Sequence, residues 1–217
     1  IIATSEANHG RRAQILADKG EWQAALKDLD RLLVKKPGNR AAIRQRNAIL
    51  AILESSQNLA ATVDKVVEAA PDMPGVHAVH AINRKAVGDQ QGAKAAWTEA
   101  IRRAPADAAA WAGRAAANEE LGDPAAAIAD CTEALRLAPG DAETRLRRAM
   151  LRFHAGDDAG TIEDCTAGLA TRKFVNPFHL FRGGARERSG DQDGALADYT
   201  AAIEADRADF QAWNNRA

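Results

Sequence analysis

The residues able to do chemistry are few. Cys131 and Cys165 stand 34 positions apart. A nucleophilic thiolate wants a neighbouring His and an electropositive pocket, and the nearest His in sequence is His154. Equivalent places on stacked helices lie beyond disulfide reach, so both thiols are expected in the core. The histidines are His9, His77, His80, His154 and His179. His77 and His80 fall at i and i+3, a spacing that puts two ligands on one helix face. A third ligand is not evident beyond Asp72 or Asp107. No carboxylate pair suggests acid–base work, and no Ser/His/Asp arrangement has a supporting elbow. Gly183-Gly184 lacks the preceding strand of a phosphate loop. No catalytic residue, cofactor or metal is expected.

One column of charge is unusual. Arg12, Arg46, His80, Arg114, Arg148, Arg182 and Arg216 recur every 34 residues. It reads either as a cationic spine for an anionic partner or as a set of internal ion pairs. Asp28, Asp130, Asp164 and Asp198 share a second column. Where that column holds Ala96, the Arg has become His80. The correlation favours ion pairs, and Arg suits a fixed bidentate carboxylate better than Lys does. The predicted pairs are Arg114–Asp130, Arg148–Asp164 and Arg182–Asp198.

These columns need elements that repeat with them. Pro37, Pro71, Pro105 and Pro139 are each 34 residues apart. Gly20, Gly88, Gly122, Gly156 and Gly190 keep the same period, with Glu54 in the skipped slot. Asp89, Asp123, Asp157 and Asp191 follow four of these glycines. Gly tolerates the left-handed helix cap, Asp caps the next helix, and Pro ends it. Each unit is therefore two helices and two short turns, for instance near Ala109–Leu121 and Ala125–Leu137. Small residues (Ala13, Ala81, Ala115, Ala149, Gly183) and large ones (Leu29, Val63, Trp97, Tyr199) alternate where helices must interlock.

Composition bounds the rest. The chain has 217 residues, 46% apolar and 27% charged, with a net charge of -1. That is globular, and it lacks the basic excess of a nucleic-acid binder. No apolar run approaches the ~20 residues of a membrane span. Richness in Ala, Arg and Asp fits a GC-rich bacterial genome. The chain begins at Ile1 and stops inside a predicted helix, which suggests a piece of a longer protein.

The marks Trp111, Ala115, Leu121-Gly122-Asp123, Ala127, Ala134-Leu135 and Pro139 resemble the tetratricopeptide repeat. The resemblance covers units 6–39, 40–73, 74–107, 108–141, 142–175 and 176–209, with a seventh opening at Phe210 and residues 1–5 left as a remnant. It is weakest in the second unit, which lacks the Gly and has Asn47 and Leu59 at small-residue places; Lys173 and Arg207 replace the Pro of units five and six. It implies an all-α, right-handed α-solenoid forming one domain, whose first helices line a concave groove for a peptide or helix of a protein partner. The groove columns place Val79, Ile82, Ala112, Ala116, Leu146, Arg147, Met150, Phe153, Leu180 and Phe181 there. Leu146, Met150 and Phe153 form one helical stripe. Phe153 and Phe181 either line that groove or fill space between neighbouring first helices. The family's carboxylate clamp and its Asn ladder are both missing. The implied function is a non-catalytic interaction scaffold; the alternatives are an accessory domain of a larger protein, with any enzyme outside this chain, and self-association through the open end at Asn214–Ala217.

Overall fold

The computed structural model describes residues 10–216 except 18, 20, 74 and 207–209. Residues 1–5, His9, Gly20, Arg207 and Ala217 therefore lie outside the described residues. Every described element is a helix: α1 (residues 10–17), α2 (Trp22–Lys35), α3 (Arg40–Ala69), α4 (Val76–Ala86), α5 (Gln90–Arg103), α6 (Ala108–Glu120), α7 (Pro124–Leu137), α8 (Ala142–His154), α9 (Asp158–Leu169), α10 (Val175–Arg188), α11 (Gln192–Ala205) and α12 (Phe210–Arg216). None of these helices is long and apolar enough to cross a membrane. The chain divides into two compact units, Ile1–Ala70 and Pro71–Ala217.

In the second unit, α4 to α12 pack as consecutive neighbours, the helix-pair solenoid that the periodicity predicts. The turns are made as their residues dictate. Gly122 sits at φ 77, a left-handed conformation that a side chain would strain. Its geometry lets Asp123 N donate back to Asn118 O at 2.9 Å, which satisfies an orphan carbonyl of α6. The Asp123 carboxylate then accepts from Ala126 N at 3.0 Å and caps α7. The turns at Gly88-Asp89, Gly156-Asp157 and Gly190-Asp191 repeat this pattern. Where Lys173 replaces the Pro, the turn instead uses positive φ at Arg172 and Phe174.

The first unit has its own core, in which Ala13, Ala25, Leu29, Leu32, Ala42 and Ile49 are buried together. Here the structure departs from the helix pair. Repeat two makes no turn; Arg40–Ala69 is one helix of 30 residues. The cause is local. Glu54 occupies the slot where other units place a glycine, and no Gly-Asp stop-and-start follows it. Leu59 is also larger than the Ala or Thr that its equivalents use for close approach.

The charge columns resolve into buried clasps. Asp130, Asp164 and Asp198 are each under 5% exposed on their second helices. Arg114 donates to both oxygens of Asp130 at 2.9 and 2.7 Å. Arg148 does the same to Asp164 at 2.8 and 2.5 Å, and Arg182 to Asp198 at 2.9 and 2.7 Å. Arg12 reaches Asp28 at 3.0 Å in the first unit. Four arginines of the cationic column are thus spent on carboxylates of the fold itself. Arg114, Arg148 and Arg182 also reach back one repeat: Arg114 donates to Thr98 at 3.4 Å, Arg148 to Thr132 at 3.1 Å, and Arg182 to Thr166 at 3.2 Å. A second donor one turn on completes each Asp, with Asn118 on Asp130, Arg152 on Asp164 and Arg186 on Asp198.

Removing one partner of a buried ion pair leaves an uncompensated charge, at a cost of ~3–5 kcal/mol. Asp164→Ala, which strands Arg148 and Arg152, is expected to lose about that much in chemical denaturation. Thr132→Val should lose only ~1 kcal/mol, the worth of one hydrogen bond. Equal losses would contradict the clasp. Burial opposes ionisation of Asp198, but the hydrogen bonds from His179 and Arg182 and the charges of Arg182 and Arg186 outweigh it and hold its carboxyl below the ordinary value of 3.8. A depressed folded pKa gives stability that is present above the unfolded value and lost as pH falls. The wild type should therefore weaken below about pH 4 more steeply than Asp198→Asn, as read by thermal unfolding across an acid series.

Candidate functional site

The first helices of the second unit are α4, α6, α8 and α10, and side chains tie three of them together. Arg147 on α8 pairs with Glu119 on α6. Phe153 on α8 meets Phe181 on α10 edge-to-face, with centroids 5.4 Å apart. Arg188 lies 3.8 Å over the Phe153 ring and donates to Phe153 O and Asp158. Gly184 makes room for this, since a Cβ there would lie 2.9 Å from Phe153.

The predicted groove residues divide by exposure. Val79 and Ile82 on α4 are 50% and 58% exposed, large apolar side chains turned to solvent. Ala112 and Ala116 are half-buried on α6. Leu146, Arg147, Met150, Phe153, Leu180 and Phe181 are all half-buried. Leu146 and Phe181 pack against Ala149, Cys165 and Phe178, and Leu180 packs against Ala202, Ile203 and Ala212. Phe153 and Phe181 thus meet each other between the neighbouring first helices α8 and α10 while staying half-buried.

Both thiols and the histidines His77 and His179 are occupied or shielded. Cys131 and Cys165 are buried and free, and desolvation pushes both thiols up to about 12, which leaves little thiolate near neutral pH. His77 is 7% exposed and lies 2.9 Å from Pro71 O. His179 is 2.8 Å from the Asp198 carboxylate. Among the described residues no three His, Cys, Asp or Glu side chains are arranged to hold a metal. A cavity of about 460 Å³ opens beside α4, lined by Met73, His77, Ala78, Ala100 and Arg103. Its cation is paired, since Arg103 bridges Asp72 and Glu99. Hydrogen bonds from Arg102 and Arg103 hold the Glu99 carboxyl down at about 2.

Two columns escaped residue-by-residue reading. Trp111 Nε1 donates to Pro105 O at 2.9 Å and Arg145 to Pro139 O at 2.6 Å, matching His77 with Pro71 O. The carbonyls of Pro71, Pro105 and Pro139 thus each meet a side-chain nitrogen six residues later, whereas Pro37 has Ile43 at that place. The threonines that receive the clasp arginines form the other column. Both carry the 34-residue period, so the period itself was the available signal.

Residues 79–142 match the tetratricopeptide-repeat family model. Among solved structures, the fold is similar to that of YrrB, a TPR protein with an unusual peptide-binding site, at 14% identity and TM-score 0.67, covering 86% of this chain and 96% of that one. It is similar to MamA at 16% identity and TM-score 0.62, covering 88% and 92%. PilF of Pseudomonas aeruginosa matches at 12% identity and TM-score 0.62, covering 98% and 96%. Such identities speak for fold alone. No curated protein matches the sequence. With Gly-Asp turns closing helix pairs at the 34-residue period and the family match falling on those same pairs, residues 79–142 are tetratricopeptide repeats.

Proposed function

We propose that this chain is a non-catalytic scaffold that binds a peptide or helix of another protein along the first-helix face of α4, α6 and α8. The observation that carries the reading is the exposed pair Val79 and Ile82. Exposed apolar side chains that cluster rather than scatter mark interaction surfaces. Gly113 and Ala116 continue their columns with small side chains, beside the equally small Ala112, and keep the neighbouring floor low. Leu146 and Met150 offer further apolar surface beyond it, and Met adapts its shape to a ligand. The Arg147–Glu119 pair gives that floor a polar edge. Phe153, Leu180 and Phe181 support the face from beneath, holding α8 and α10 in register. That YrrB, a protein of similar fold, has a peptide-binding site supports a peptide-binding role. Tetratricopeptide-repeat proteins are in general scaffolds rather than catalysts, and the buried thiols and paired cations favour that role here.

Selection from a random-peptide display library against the intact chain is expected to return ligands with two or more closely spaced apolar residues. Val79→Glu/Ile82→Glu, two solvent-facing changes that leave the core untouched, should weaken those ligands at least tenfold by titration. Met150→Glu should weaken them less. Peptides that bind the double variant as well as the wild type would overturn the placement of the site.

A further inference from the structure

The fused helix α3 exposes large apolar side chains at places that the other complete repeats bury or half-bury among the described residues. Ile43, Leu50, Leu59 and Val66 are 37%, 39%, 55% and 38% exposed. The equivalents of Leu59 and Val66 in repeats four and six are Ala127, Ala134, Ala195 and Ala202, each 2% exposed or less, between the two helices of a pair. Repeat two leaves the same positions open because its second helix continues straight on instead of folding back. The place that helix would have taken is a surface groove of about 480 Å³ between α2 and the start of α3, lined by Leu33, Val34, Ile43, Arg46 and Asn47. Val34 is 82% exposed there. Arg46 donates back to Asp30 at 2.6 Å, the previous repeat's Thr place, while its own repeat offers Thr62 where the clasp carboxylate belongs.

The groove and its missing helix are parts of one repeat, and α3 carries both. The chain's own second half cannot reach the groove, because Ile43 and Val66 lie ~35 Å apart along a continuous helix at ~1.5 Å per residue. A second copy has no such restraint. Charge supports the match: residues 40–53 of α3 carry Arg40, Arg44 and Arg46 and no carboxylate, whereas residues 58–69 carry Asp64 and Glu68 against Lys65. At ~100° per residue, Ile43 and Leu50 lie on nearly the opposite side of the helix from Leu59 and Val66. One copy can then offer a groove on one side and an inserting half-helix on the other. Such a contact is heterologous, so it adds copies head to tail rather than closing a pair. We propose that the α2–α3 groove is a self-docking site that receives residues 58–69 of a second copy of this chain.

The test is the mass in solution across a concentration series, by sedimentation velocity. The wild type should climb past twice its 23.1 kDa chain mass at high micromolar concentration. Ile43→Glu/Leu50→Glu removes the groove and Leu59→Glu/Val66→Glu removes the insert, in both cases at exposed positions. Each variant alone should stay a monomer. Mixed in equal amounts, they should form a complex of two chains that grows no further, since one intact groove meets one intact insert. A wild type that stays monomeric, variants that assemble as the wild type does, or variants that ignore each other on mixing would each overturn the proposal. Native helical circular dichroism of both variants, together with complex formation on mixing, guards against misfolding as the cause.

Discussion

A buried carboxylate is costly unless it is fully paired, and the second unit places one inside each of its last three helix pairs. Asp130, Asp164 and Asp198 constrain what surrounds them. Each needs a bidentate donor from the first helix of its pair, which fixes that helix at the Arg place. Each also takes a second donor one turn further on, which fixes its rotation. The Arg has donors left over, and it uses one on the Thr of the preceding repeat. The same side chain therefore closes its own pair and fastens that pair to the previous one. A nearest-neighbour fastening of this kind suits a repeat array, whose stability depends on the contact between successive units.

Packing adjusts around these fixed points by trading volume across contacts. The contact that pairs Ala149 with Cys165 becomes Gly183 with Tyr199, and a Cβ at Gly183 would sit 2.7 Å from that ring. Gly113 yields to Trp97 in the same way, and Gly168 to Phe178. A larger residue on one helix is met by a smaller one opposite, so the interhelix distance can hold along the array. Tyr199 also spends its hydroxyl on Glu187 at 2.7 Å, so the extra size brings no unpaired polar atom.

Much of this is written in the sequence because the repeat supplies its own alignment. The helices expected near Ala109–Leu121 and Ala125–Leu137 are Ala108–Glu120 and Pro124–Leu137. The Arg–Asp pairs were legible because Ala96 and His80 changed together. The Thr and Pro-carbonyl columns were not read, since a threonine on a helix surface and a proline carbonyl look ordinary one at a time. The fusion of repeat two was visible only as weakness: Glu54 and Leu59 marked a poor turn, but whether a poor turn straightens or merely distorts depends on packing. A column says which residues share a face and not how far each stands out, so it could not separate Val79 and Ile82 from Phe153 and Phe181.

The clasps couple repeats as well as close them, and residue-resolved hydrogen exchange tests this coupling. Arg148→Met removes one clasp while keeping much of the side-chain volume. The account predicts faster amide exchange in α8 and α9, and also in α7, which loses the bond to Thr132. Loss of protection confined to α8 and α9, with α7 unchanged, would show that each clasp serves its own helix pair alone and would contradict the account.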